Sequence, residues 1–285
     1  MRSDWGEMTM KYIFLDIDGT LFSPELGRIP DSALDAVAQA RANGSKVFLC
    51  TGRSLAECNQ YLQTEVNGFV FAAGSMVYAD HKRIFDHPLA KEDEGYLKQL
   101  IHEMGMGYVA EGQAGGYCDE FGYDALSRYF GGVDCTEETR KRRAMMENCF
   151  YPEYYEHDEE KIYKICAYVK HGGHFTPLKN RLPEKYTLTV TVRDPDFDDC
   201  AEITDASITK ATGIAKILEF YGADVSDAVG IGDSENDLPM LEYCGFGIAM
   251  GNAMESLKAK ADWVTTPILE DGIRNAFLHI GVIEQ

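Results

Sequence analysis

From Lys11 to Gly74 the chain alternates short apolar runs with amphipathic stretches: KYIFLDI, PDSALDAVAQARANG, SKVFLCT, SLAECNQYLQTEV and GFVFAAG. Near-continuous apolar runs of strand length, joined by segments with helical periodicity, predict a βαβαβ series whose parallel sheet is covered on both faces. The same alternation returns late in the chain. ITKATGIAKILEFYG and DLPMLEYC read as helices, and DAVGIGD, GFGIAM and ADWVTT as strands. Between them the texture changes to an aromatic-rich, more polar stretch, with the strand-like KIYKICAYV and KYTLTVTV and the helix-like KEDEGYLKQLIHEMG. The expected fold class is therefore α/β: a doubly wound, Rossmann-like parallel-sheet core with an inserted α+β cap domain. The expected boundaries are a flexible leader over 1–10, a core formed by 11–82 together with 200–285, and the insertion over 83–199. ADHKRIFDHP and RDPDFDDC, where Pro and clustered charge break the periodicity, are the expected linkers.

Charge narrows the range of partners. With 47 acidic and 27 basic residues, a net charge of −20, the chain repels nucleic-acid phosphates and anionic membrane surfaces. No nucleic acid and no membrane partner is expected. A small anionic substrate stays possible, because exposed charges are screened beyond about 8 Å and a bound cation reverses the local sign. The eight cysteines form no CxxC pair and several sit in apolar runs, which fits reduced thiols. No signal segment and no long uncharged apolar stretch occurs, so a cytoplasmic location is expected.

The chemistry lies at strand ends. In an open parallel sheet ligands bind beyond the carboxyl ends of the strands, where strand order reverses. Asp16 ends the first strand, Thr51 the second and Asp233 the DAVGIGD strand, with Asp18, Asn236 and Asp237 just after. Four carboxylates would then converge, and a hard divalent cation relieves their repulsion; an all-oxygen site of this kind suits Mg²⁺.

Four segments in this order, DIDGTL (Asp16–Leu21), LCTGR (Leu49–Arg53), ITKATG with Lys210, and GDSENDLPML (Gly232–Leu241), resemble the haloacid dehalogenase superfamily of phosphotransferases, and within it the Cof-like sugar-phosphatase branch. AMGNA (Ala249–Ala253) and EDGI (Glu270–Ile273) add minor matches. The resemblance implies a Mg²⁺-dependent phosphatase of small phosphorylated metabolites. Asp16 would be the nucleophile that forms an aspartyl phosphate, and Asp18 the general acid and then base. Thr51, Gly52, Lys210 and Asn252 would bind the phosphate. Asp16, Asp233 and the backbone carbonyl of Asp18 would hold the metal, with Asn236 and Asp237 behind them. Asp18 separates this chain from the carbon–halogen hydrolases, which lack a second aspartate, and from the ion pumps, which carry Thr there. One helix's length of chain between DIDGTL and LCTGR leaves no room for an insertion, so the cap falls between Arg53 and Lys210.

Ala73-Gly74-Ser75 and Ala211 depart from the branch, where Asn-Gly follows the third strand and Gly follows the lysine. Two other functions fit the same motifs: a sensor that binds a phosphometabolite without turnover, and a phosphotransferase to a sugar acceptor. Bland readings suffice elsewhere. His171 and His174 mark a turn, Arg140 to Arg143 a solvated helix face, and Tyr117, Phe121, Tyr123 and Tyr129 packing.

Overall fold

The computed structural model describes residues 10–59, 61–131, 149–152, 159–192 and 198–284. Residues 1–9 of the expected leader and the Arg140 to Arg143 run lie outside the described residues. The chain divides into two compact units, one of residues 1–52, 63–86 and 208–285, the other of 53–62 and 87–207.

The first unit is built on an eight-stranded sheet of order β14-β13-β12-β1-β2-β3-β4-β5. Its strands are β1 (Tyr12–Leu15), β2 (Lys46–Cys50), β3 (Gly68–Phe71), β4 (Met76–Ala79), β5 (Lys82–Asp86), β12 (Ala228–Gly232), β13 (Phe246–Ala249) and β14 (Trp263–Val264). β1 lies between β2 and β12, parallel to both, so the chain leaves the sheet centre in opposite directions and creates the reversal point. β4 and β5 extend the sheet as antiparallel strands, which the expectation of a parallel sheet omitted. A tight turn through Asp80 and His81, at φ 44° and 63°, produces that reversal without a crossover helix.

Helix α1 (Asp31–Ala42) buries Ala33, Ala36, Val37 and Ala40, one stripe at helical spacing. The SLAECNQYLQTEV segment, expected as a helix, contains only a three-residue 3₁₀ turn at Ala56–Cys58. Ala56 belongs to the second unit, where its carbonyl accepts from Cys149 Sγ at 3.3 Å.

The second unit carries a six-stranded sheet of order β10-β11-β9-β6-β7-β8. These are β6 (Gly107–Gly112), β7 (Gly116–Cys118), β8 (Phe150–Pro152), β9 (Ile162–Val169), β10 (Tyr186–Val192) and β11 (Asp199–Asp205). Helices α2 (Lys91–Glu103) and α4 (Thr176–Arg181) supply Leu97, Ile101 and Leu178 to one apolar layer. Helix α3 (Glu120–Gly131) supplies Leu126 to another, together with Cys118, Cys149, Cys166 and Cys200. β5 belongs to the first sheet and β11 to the second, and the units divide after Asp86 and after Ser207. The Gly172 turn, φ 80°, places His171 Nδ1 2.9 Å from Asp199 Oδ1. No helix among the described residues is long and apolar enough to cross a membrane.

Candidate active site

The residues picked out for chemistry all lie in the first unit. β1 delivers Asp16 to the sheet's carboxyl edge, and Asp16 N donates to Ile231 O at 3.0 Å, extending the β1–β12 ladder by one step. The chain then turns. Gly19 takes φ +83°, and a Cβ there would run into the Asp233 carboxylate, so only glycine permits this approach. Thr20 is buried and its hydroxyl donates to Asp233 Oδ1 at 3.3 Å, a link the sequence reading did not assign, although its place inside DIDGT was the available signal.

Thr51 follows β2 and is buried, with its N–H on Val70 O at 2.8 Å and its carbonyl accepting from Ala73 N at 2.9 Å. Ala72 and Ala73 adopt left-handed φ of 46° and 53°, a conformation costing a non-glycine residue about 1 kcal/mol or more. This is the turn where the chain departs from Asn-Gly.

Lys210 is the first residue of helix α5 (Lys210–Tyr221), whose start is fixed by a capping box between Thr209 and Thr212. Its side chain is fully buried, with Nζ 2.6 Å from Asp16 Oδ1 and in contact with Asp237 Oδ1. Asp237 is also fully buried. Its Oδ2 accepts from the backbone N–H groups of Asp233 and Ser234, at 2.9 and 3.1 Å. Gly232 makes room, since a Cβ there would strike the Asp237 side chain. Asn236 is exposed and accepts from Ser234 Oγ at 2.7 Å. Asn252 has both ends of its amide engaged within the protein: Nδ2 donates to Gly19 O and Oδ1 accepts from Ile268 N, each at 2.8 Å.

The electrostatics are unbalanced. Asp16 and Asp237 share the Lys210 ammonium, and Asp233 lies close enough to feel the same charges. Burial first, then Asp237, pushes the Asp16 carboxyl well above the usual range against the opposing pull of Lys210. Burial and Asp237 raise Asp233 to about 7. Lys210, despite burial, is held charged by Asp16 and Asp237. Carboxylate oxygens of Asp16, Asp233 and Asp237 lie within 4.8 Å of one another, the one group among the described residues able to hold a metal ion. This donor set fits a hard divalent cation: all ligands are oxygens, and a 2+ charge relieves the repulsion that burial magnifies. Asp237 accepts from Lys210 and from two backbone N–H groups, Asp16 from Lys210, and Asp233 from the Thr20 hydroxyl.

A central strand ending in a buried aspartate, a second aspartate two residues on, a lysine paired to the first and acidic residues from a neighbouring strand define a phosphatase-type hydrolase. The haloacid dehalogenase-like hydrolase family matches residues 13–277, and the chain belongs to it, in its Cof-like branch. The chain is similar along almost its whole length to two *Bacillus subtilis* proteins, each a 5-amino-6-(5-phospho-D-ribitylamino)uracil phosphatase. It is 28% identical to YwtE, covering 93% of this chain and 96% of that one. It is 23% identical to YcsE, covering 96% of each. Among solved structures it is similar to the subclass IIB sugar phosphatase BT4131, with TM-score 0.75, 26% identity, and coverage of 96% of this chain and 100% of that one.

Proposed function

We propose that the protein is a Mg²⁺-dependent phosphatase of small phosphorylated metabolites, sugar phosphates or related phosphomonoesters, acting through an aspartyl phosphate. The observation that carries this reading is the buried Asp16–Lys210–Asp237 array next to Asp233. Asp16 attacks phosphorus, forming an Asp16–phosphorus bond as the ester P–O bond breaks. Asp18 gives its proton to the departing alkoxide, then takes one from the water that cleaves the aspartyl phosphate, releasing inorganic phosphate and restoring Asp16. The Thr51 hydroxyl, the Gly52 N–H and the Lys210 ammonium stabilise the charge on the non-transferring oxygens, which is where catalysis of phosphoryl transfer acts.

Asp16 and Asp233, with the Asp18 carbonyl, are the groups that would hold Mg²⁺, and Asn236 and Asp237 would support them from behind. Bound there, the ion would supply charge neutralisation to the transferring phosphate. Asp237, through its bond to Lys210, keeps that ammonium charged and aimed at Asp16. The relatives that hydrolyse a phosphorylated ribityl compound and sugar phosphates support a polyol or sugar phosphate as the substrate class.

Phosphate release from sugar phosphates, a ribityl phosphate, flavin mononucleotide, pyridoxal phosphate and p-nitrophenyl phosphate tests the reading. Turnover that requires Mg²⁺, stops with a chelator and vanishes in Asp16→Asn is expected. Absence of turnover on every member, or full activity in Asp16→Asn, overturns it.

A further inference from the structure

The loop after β13 is tied to both halves of the site. Met250 N donates to Gly232 O at 2.9 Å and Met254 N to Asp233 O at 3.0 Å, so the loop is sewn to the end of β12. Gly251 N donates to Thr266 O at 3.2 Å, which holds the same loop against the segment leading to Ile268. From this support Asn252 reaches across 233 residues of sequence to Gly19 O. The chemistry of its two partners fixes the amide's orientation: a backbone N–H sits at one end and a carbonyl at the other, so a flipped amide would lose both bonds.

The Gly19 N–H is taken by Phe22 O at 3.0 Å and the Thr20 N–H by Ile17 O at 3.3 Å, while the left-handed φ of Gly19 lies where glycine rotates most cheaply. The Gly19 backbone torsions set how Asp18, on one side, is aimed relative to the Thr20 hydroxyl, bonded to Asp233, on the other.

We propose that Asn252 is a positioning residue that locks the Asp18–Gly19–Thr20 turn by clamping the Gly19 carbonyl, acting through that turn and not by contact with the phosphate. Its effect on turnover rests on the phosphatase reading; the clamp itself does not. Positioning errors of about 1 Å lower rates by up to about a hundredfold, which sets the expected scale.

The test compares wild type, Asn252→Ala and Asn252→Asp in the full-length chain. Asp keeps the acceptor for Ile268 N but places an oxygen against Gly19 O, so it removes the clamp while preserving the other bond. With p-nitrophenyl phosphate, kcat should fall about 10- to 100-fold in both variants, while the inhibition constant of inorganic phosphate changes less than about twofold. Hydrogen exchange should quicken in the peptide covering 17–23 and stay unchanged in 210–221. Wild-type kcat in Asn252→Asp, or phosphate inhibition weakened in step with kcat, overturns the proposal. If wild type turns over no phosphate ester, the phosphatase reading fails and exchange alone decides the clamp. If exchange over 17–23 is unaltered, the clamp fails with the phosphatase reading intact.

Discussion

Lys210 Nζ lies 2.6 Å from Asp16 Oδ1, across 194 residues of sequence, with the Asp237 carboxylate on its other side. One buried cation thus holds together two carboxylates that would otherwise repel. Lys210→Met should lower kcat about 10²- to 10³-fold, the usual scale for losing one charge-stabilising donor. It should also cost about 3–5 kcal/mol of stability in metal-free buffer, because it strands two buried carboxylates. Urea unfolding with and without Mg²⁺ measures this, and the ion should restore part of the loss.

Asp16→Asn keeps the side chain's shape and removes its nucleophilic oxygen. Turnover should drop on the order of 10⁴-fold or more while the circular dichroism spectrum stays that of wild type. Rapid-quench phosphate assays on p-nitrophenyl phosphate provide the measurement.

Asp233 carries a carboxyl that burial and Asp237 raise to about 7, an environment that favours a bound cation. Mg²⁺ at about 100 times its dissociation constant should stabilise the wild type by about 2.7 kcal/mol. Asp233→Asn should abolish that gain, seen as the loss of the Mg²⁺-induced rise in Tm.

At Gly19 the backbone is left-handed and a Cβ would meet the Asp233 carboxylate. Gly19→Ala should therefore cost about 1–2 kcal/mol in folding and lower kcat further than that loss explains, since the strain falls on Asp18 and Asp233 together. Thermal unfolding and kcat, determined on the same preparation, separate the two effects.

Glu94, in α2, is buried, which opposes its ionisation, yet Lys98 at 2.8 Å and Lys91 at 3.1 Å outweigh burial and hold its carboxyl below the usual range. A depressed carboxyl adds stability above the unfolded value, about 4.3, and loses it as pH falls through the folded value. Glu94→Gln should cost about 1 kcal/mol at pH 7, with the difference from wild type disappearing towards pH 3. Urea titrations at the two pH values, followed by circular dichroism, give both figures.

Strand-like runs ending in polar residues made much of this site legible beforehand. KYIFLDI and DAVGIGD become β1 and β12 side by side, and Asp16 and Asp233 leave them on the same edge. Local signals do less well where neighbours decide. SLAECNQYLQTEV has helical spacing, yet it forms only a 3₁₀ turn at Ala56–Cys58, with the Ala56 carbonyl accepting from Cys149 Sγ rather than continuing a helix. Asn252 reads as a phosphate ligand because GNA follows a strand at the correct edge; local sequence does not show that its amide also bonds to Gly19 O and Ile268 N.

The sequence by itself determined the βα alternation, the place of the long insertion and the residue types at each strand end, because apolar periodicity and turn chemistry act over a few neighbouring positions. Only the tertiary structure decided that Lys210 pairs with Asp16 and Asp237, that Thr20 reaches Asp233, and that Asn252 Nδ2 donates to Gly19 O. Those links join segments up to 233 residues apart, and a buried polar group takes whichever partner the fold carries within hydrogen-bond reach.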